Sequence, residues 1–168
     1  MKRALFTFLL LITLFNIQGQ TNSNVSAVLK AQAEKMGRLL IDNNFQEFIK
    51  YTHPKVTEMM GGDQKMIATL QNGFKDLDKQ GIKFLSVKIG EASEIINVNN
   101  ELQAVVPQKI EIKMGEKVIV SESSLIAFSF NSGKDWKFVD ANGKTNKEAK
   151  NHLSNIKRKI DYTCKERV

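Results

Sequence analysis

The spacing of apolar residues changes once along this chain, and that change restricts the fold more than any other feature. Up to about residue 80, apolar residues recur every three or four positions, which is typical of amphipathic helices. After Gly81 they alternate with polar residues, which is typical of strands that bury one face. A chain with its helices first and its strands last is expected to form an α+β domain.

Four helices are predicted in the first part of the chain. The first covers residues 25–42 and ends at polar residues. Pro54 is compatible with the first turn of a later helix, where its missing N–H has no partner to lose, so His53 is expected at the corner where that helix begins. Gly61-Gly62 ends that helix, and Asp63 caps the next one. The residues predicted to face inward are Val25, Val28, Leu29, Met36, Leu39, Leu40, Phe45, Phe48, Ile49, Val56, Met59, Met60, Met66, Ile67, Leu70, Phe74 and Leu77.

Four consecutive strands are predicted after Gly81. Turn residues stand at Asn99-Asn100, Met114-Gly115 and Ser132-Gly133, so the strands are expected to form an antiparallel meander. Pro107 lacks the N–H that a strand donates to its neighbour. The second strand is therefore predicted to lie at a sheet edge, or to bulge at this residue.

The first residues have the composition of a secretory signal peptide. Lys2 and Arg3 precede an apolar run from Ala4 to Phe15, which is short for a bilayer span. We expect residues 1–19 to be removed and the protein to be periplasmic or secreted. No cysteine stands directly after the apolar run, so a lipid anchor is not expected.

The rest of the chain divides into a balanced body and a basic end. Residues 20–143 are expected to form one domain, in which opposite charges cancel. Residues 144–168 hold eight basic and three acidic residues, and Cys164, the chain's one cysteine, is expected to be an exposed thiol. Basic residues do not form a stripe with aromatic residues across the body, so nucleic acid is not expected as a partner.

A basic amphipathic helix is predicted over residues 146–161. Thr145 and Glu148 match a capping box at its start. Packing of this helix on its own domain is favoured over contact with an anionic membrane surface, because its apolar stripe contains no aromatic residue. That stripe consists of Ala149, Leu153, Ile156 and Ile160.

Two stretches carry a resemblance to a known superfamily. They are NNFQEFIKYTHPKVTEMMGGDQKM, with a His-Pro corner and a Gly-Gly break, and SSLIAFSFNSGKDWKFVDANG, with the final hairpin. With FLSVKIGEASEII and ELQAVVPQKIEIK they cover about residues 25–142 and resemble the nuclear-transport-factor-2-like (SnoaL-like) superfamily, most closely exported proteins of Bacteroidetes-type bacteria.

This resemblance implies a cystatin-like α+β cone. N-terminal helices would pack in the concave face of a strongly curved antiparallel sheet, and the open end of the cone would be a pocket. The resemblance also implies a homodimer through the sheet. It transfers no catalytic residue, because no position here aligns with the superfamily's catalytic motifs.

Strand register predicts a polar row on one face of the sheet. A three-residue loop 114–116 would place Gln108 opposite Glu122, and a loop 131–133 would place Ser124 opposite Asp140. A few polar groups on an apolar wall are typical of a small-molecule site, although a bulge near Glu122 would turn the row outward. The predicted ligand pocket comprises Tyr51, His53, Gln108, Glu122, Ser124, Phe128, Trp136 and Asp140.

Three functions remain open at this level. The leading hypothesis is an exported module without catalytic activity that binds a small apolar or amphipathic ligand, or a protein partner over its sheet. The alternative is a SnoaL-like isomerase, dehydratase or hydrolase that uses Glu122 or Asp140 as a base. A structural protein with a filled cone is the third.

Neither a metal site nor a cofactor is expected. His53 and His152 are distant in the sequence, and a single terminal cysteine cannot complete a cluster of three or four zinc ligands. His53 is interpreted as a corner residue bonded to the backbone, with contact to a ligand at the rim of the cone as the alternative.

Overall fold

The computed structural model describes residues 17–141, with side chains from residue 23 onward. The predicted signal peptide, apart from its last three residues, and the predicted basic helix of residues 146–161 lie outside the described residues. His152 and Cys164 lie outside them as well.

Helices form the first half of the described chain. They are α1 (Ile17–Ile41), α2 (Phe45–Phe48), α3 (Pro54–Met59) and α4 (Asp63–Lys79), with a 3₁₀ turn at Ile49–Tyr51 between α2 and α3. Pro54 occupies the first turn of α3, as predicted. Met59 at the end of α3 was predicted to face inward, but its side chain is 53% exposed.

An antiparallel sheet of five strands follows. The strands are β1 (Ile82–Ile89), β2 (Ile96–Val98), β3 (Glu101–Met114), β4 (Lys117–Ser129) and β5 (Lys137–Asp140), in the spatial order β1-β3-β4-β5. The three-residue strand β2 pairs with β3 beyond the end of β1 and was not predicted. The α+β class, with helices before a curved antiparallel sheet, is confirmed.

Pro107 lies in the interior of the sheet, so the prediction that its strand is at an edge is wrong. β3 is flanked by β4 on one side and by β1 and β2 on the other. The carbonyl oxygen of Pro107 accepts the N–H of Gly90 at 2.8 Å, just past the end of β1. Gly90 continues the register of β1 and lies opposite Pro107, so the missing N–H removes the second bond of this pair, and β1 ends at Ile89.

The main core lies between the helices and one face of the sheet, which we call the inner face. Helical Leu29, Ala33 and Met36 pack there against strand residues such as Ala127 and Phe138. Because side chains alternate along a strand, the intervening residues point to the opposite, outer face. The buried members of this core are Leu29, Ala33, Met36, Phe48, Met66, Ala104, Val106, Leu125, Ala127, Trp136 and Phe138.

The Gln32 side chain ties α1 to the last hairpin. Its Oε1 accepts the backbone N–H of Trp136 at 2.8 Å, and its Nε2 donates to the carbonyl oxygen of Lys134 at 2.8 Å. The indole N–H of Trp136 donates to the carbonyl oxygen of Gly133 at 3.2 Å. These bonds give partners to the indole N–H and to three backbone groups of the hairpin, which offsets the cost of burying the indole ring.

Gly37 brings α1 very close to β1. A Cβ atom at this position would lie 2.8 Å from Cγ1 of Val87, which is closer than two carbon atoms pack. The absence of a side chain at Gly37 therefore sets the distance between the first helix and the first strand.

Candidate functional site

Both predicted hairpin registers are wrong by one residue. Met114 pairs with Lys117, which leaves a two-residue turn with φ of 59° at Gly115 instead of a three-residue loop. A positive φ in a two-residue turn matches the twist of the flanking strands, which favours this shorter turn. In the second hairpin Phe128 pairs with Lys137 and not with Trp136.

The shift divides the predicted polar row between the two faces, because a one-residue slip reverses every side chain. Gln108 lies opposite Ser123 on the inner face, and Asp140 lies opposite Leu125 on the same face. Glu122 and Ser124 fall on the outer face, where Glu122 forms an ion pair with Lys109 at 2.7 Å between Oε1 and Nζ.

The aromatic members of the predicted pocket are divided as well. Trp136 is 1% exposed and belongs to the inner core, against which the half-buried Tyr51 also packs. Phe128 and His53 lie on the outer face, with 4.8 Å between their ring centroids. The eight predicted residues therefore do not form one pocket.

A small inner cavity remains where Gln108 and Asp140 meet α1. Gln108 Nε2 donates to Ser123 Oγ at 2.9 Å and to Asp140 Oδ2 at 3.3 Å. The volume of this cavity is about 70 Å³, far below the roughly 300–1,000 Å³ of typical ligand pockets. Its lining is Ala33, Met36, Gly37, Leu40, Phe48, Val87, Gln108, Ile110, Leu125 and Asp140.

A larger groove opens between α4 and the start of β1, and we call it the aromatic groove. Its volume is about 640 Å³, which falls within the range of small-molecule pockets. Three phenylalanine rings form its apolar wall. Its lining is Ile41, Asn43, Phe45, Gln71, Phe74, Lys75, Leu77, Asp78, Ile82, Lys83 and Phe84.

The three rings of the aromatic groove contact one another in sequence. The Phe74 and Phe84 rings are stacked, with 4.9 Å between centroids and 20° between planes. Phe45 meets Phe74 edge to face, also at 4.9 Å. Phe45 is buried, whereas Phe74 and Phe84 are only half-buried, so part of the aromatic surface remains available to a ligand.

Charged side chains stand at the rim of the aromatic groove. Lys83 Nζ lies 3.5 Å from Asp78 Oδ1, so these two charges offset each other. Lys75 also lines the groove, and it forms no ion pair with any residue in the described range. The rim therefore presents an ammonium group next to the aromatic wall.

His53 lies where the chain passes the edge of β5. Thr52 forms a parallel bridge with Phe138, and the N–H of His53 donates to the Phe138 carbonyl oxygen at 3.0 Å. Nδ1 of His53 then accepts the N–H of Lys55 at 3.1 Å, which caps α3. The predicted corner position, with the imidazole bonded to the backbone, is confirmed.

Acidification is expected to destabilise the protein through His53. Burial lowers the pKa of its imidazole below the ordinary value of 6.5. Below pH 6.5 the unfolded chain binds a proton more readily than the folded one, so the free energy of unfolding falls until the pH passes the folded pKa. Protonated Nδ1 also cannot accept the capping bond. Urea unfolding between about pH 7.5 and about pH 5.5 measures this loss.

Two variants test whether His53 causes this pH dependence. His53→Asn keeps a side-chain acceptor for the cap but does not titrate, so the loss of stability over this interval should shrink. His152→Gln removes the other histidine of the chain and should leave the parent profile unchanged. A profile altered by His152→Gln and not by His53→Asn would contradict the assignment.

The groove was not predicted from the sequence, although two of its rings were assigned to helix faces. Phe45 and Phe74 were both expected to be buried, and Phe84 carried no prediction. The amphipathic helix α4, with Phe74 as its one aromatic residue, is compatible with either a closed or an open contact with β1. Only the packing of α4 against β1 decides between them.

Among residues 23–141, no group of three or more His, Cys, Asp or Glu side chains is placed to hold a metal ion. No helix in the described part of the chain is both long and apolar enough to cross a membrane. No protein-family model matches this chain, and no curated protein is significantly similar to it.

Proposed function

We propose that this protein is an exported binding module without catalytic activity, and that its ligand is a small amphipathic molecule held in the aromatic groove. The observation that carries the proposal is a groove of about 640 Å³ whose apolar wall is formed by three contacting phenylalanine rings. Apolar area supplies affinity in such sites, while a few polar groups select the ligand.

The charge at the rim narrows the class of ligand. Lys75 stands beside the aromatic wall, and the charge of Lys83 is offset by Asp78. An apolar chain or ring system would lie against Phe74 and Phe84, and an anionic end would face Lys75. A medium-chain carboxylate has this chemistry.

The proposal includes a fold relationship and a location. The helices would pack in the concave face of a cone, as in the nuclear-transport-factor-2-like superfamily. The 14-residue β3, the 13-residue β4 and the bulge between Phe84 and Ser86 of β1 support a strongly bent sheet. The signal-peptide composition of residues 1–19 supports export.

Native mass spectrometry of the protein purified from its own host is the first test of ligand binding. We expect a small molecule that is retained in the native spectrum and lost on denaturation. The delipidated protein should then bind dodecanoate and its neutral analogue dodecanol. NMR shifts caused by both probes should map to Phe74 and Phe84, and shifts confined to residues outside the groove would contradict the proposal.

A lysine substitution tests how the anionic end is recognised. Lys75→Ala should weaken dodecanoate binding by about two- to fivefold, the range for an exposed ion pair, and leave dodecanol binding unchanged. Lys65→Ala removes an exposed lysine that lies on α4 but does not line the groove, and it should change neither affinity. Equal effects of the two variants would contradict a specific role for Lys75.

The enzymatic alternative is supported by one observation. Asp140 lines the inner cavity beside Gln108, whereas Glu122 faces outward and is paired with Lys109. A small isomerase, dehydratase or hydrolase would then use Asp140 as its base, and Asp140→Asn would abolish turnover. Glu122→Gln would leave it unchanged.

A further inference from the structure

The outer face of the sheet is buried at one end and exposed at the other. On β4, the outer side chains of Val118 and Val120 are 56% and 46% exposed, whereas those of Ile126 and Phe128 are 1% and 2% exposed. The same boundary crosses β3, where Pro107 is exposed and Val105 is buried. We call the buried part the outer footprint: Gln103, Val105, Ile126, Phe128, Val139 and Ala141.

The described elements do not account for this burial. In the described part of the chain, Val56 of α3 is the hydrophobic residue that packs on the outer footprint, and it is only partly buried. The ring of His53 lies against Phe128. A strand face without a covering layer keeps much of its area exposed, as Val118 does. A second layer is therefore needed over Val105 and Val139.

We propose that the C-terminal segment of this chain forms that layer, with the predicted helix of residues 146–161 placed across the outer footprint. Its apolar stripe would face the sheet and its basic residues would face solvent. The stripe is Ala149, Leu153, Ile156 and Ile160.

The position where the described chain ends supports this occupant. Ala141 is itself a member of the footprint, at 3% exposure, and its N–H donates to the carbonyl oxygen of Ser124 at 2.8 Å. The described chain therefore ends on this face. Residues 142–145 span up to about 13 Å when extended, enough for the chain to turn back over the sheet.

The dimensions of the segment also agree with those of the footprint. A helix over residues 146–161 is about 24 Å long, and its apolar stripe covers about 17 Å. The footprint crosses β3, β4 and β5, a width of about 10–15 Å at the usual strand spacing. One helix of this length is sufficient, and the exposed half of the outer face around Val118 and Val120 stays open.

Paramagnetic broadening locates the segment in solution. The protein is produced from the full 168-residue sequence, with Cys164→Ser and Lys157→Cys, and a nitroxide label is attached at position 157. We expect the methyl signals of Val105, Ile126 and Val139 to lose most of their intensity, while those of Leu29 and Met66, in the inner core, keep theirs. No loss at the outer footprint would overturn the proposal.

The same label distinguishes this occupant from a second copy of the chain. Labelled molecules without isotope enrichment are mixed with enriched molecules without label. Broadening of the footprint methyls in this mixture alone would show that a neighbouring molecule covers the face, and would reject the proposal. Broadening that occurs only when the label and the isotope enrichment are in the same molecule supports the proposal.

A pair of charge-matched substitutions tests the stripe. Ile156→Asp places a carboxylate in the predicted contact, so the footprint signals should recover and trypsin should cleave faster after the lysines of residues 144–159. Asn151→Asp adds the same charge to the opposite side of the predicted helix and should retain the broadening. Equal behaviour of the two variants would contradict docking through the stripe.

Discussion

Replacing Trp136 with alanine is expected to lower the free energy of unfolding by about 3–5 kcal/mol, the range for a buried aromatic residue. The indole is 1% exposed and is one of the largest fully buried side chains. Its loss would leave a cavity against α1 and would free the Gly133 carbonyl oxygen that accepts the indole N–H. Because domains of this size are stable by about 5–15 kcal/mol, the variant should be close to unfolding, which urea titration measures.

Phe130→Ala is the matched control on the same hairpin. Phe130 is as apolar as Trp136 but is 55% exposed, so its truncation should cost less than about 1 kcal/mol. Comparable losses for the two variants would show that the hairpin, and not the buried indole, determines the stability. A small loss for Trp136→Ala would contradict the packing described above.

Gly37→Ala is expected to destabilise the protein by about 1–3 kcal/mol, the usual cost of overpacking. The new methyl group would lie 2.8 Å from Cγ1 of Val87, and a β-branched side chain in a strand cannot rotate freely to make room. The gain in helix propensity, at most about 1 kcal/mol, offsets only part of that cost. Thermal unfolding measures the difference.

A second glycine provides the control, with the opposite expected sign. Gly73 lies in α4, and beyond the backbone of its own helix nothing lies within 4 Å of the point that a Cβ atom would occupy. Gly73→Ala should therefore stabilise the protein by up to about 1 kcal/mol. Adding Val87→Ala to Gly37→Ala should restore much of the lost stability, since it removes the clashing methyl groups. Shifts of the same sign for both glycine variants would contradict the close contact between α1 and β1.

The helices were predicted well because their signals are local. The stripe of α4 and the proline of α3 each depend on residues within one or two turns of each other. The helix that begins at Pro54 is confirmed. The prediction that Asp63 caps the next helix is wrong, because Asp63 is the first residue of α4, Gly62 is its N-cap, and no side chain bonds to the end of the helix there. The class of the fold follows from the order of these local signals.

The hairpin registers could not be obtained in the same way. An apolar alternation fixes the pairing only if one face of the sheet is polar. In β3 the run Ala104-Val105-Val106 is apolar on both faces, and in β4 the same is true of Leu125 to Phe128. These runs fit either register, so the pattern could not select between them. Runs of this kind are typical of strands that are buried on both faces. They therefore indicate that the outer footprint is buried as well as the inner face.

The candidate site escaped prediction for a further reason. The aromatic groove depends on how α4 meets β1, and nothing in the sequence of Phe74 or Phe84 specifies that contact. Of the predicted pocket, Gln108 and Asp140 are together because they occupy the inner face of β3 and β5. Glu122, Ser124, Phe128 and Trp136 were assigned from a register that the structure does not have, whereas Tyr51 and His53 were assigned from the predicted helix corner.

The bond between Gln32 and Trp136 bears on the order in which the protein folds. Its partners are 104 residues apart in the chain, so the loop closed by this contact is nearly the whole domain. Closing so long a loop costs entropy before any contact offsets it, which slows folding. During synthesis from the N-terminus, the apolar side of α1 has no partner in the last hairpin until that hairpin has been made.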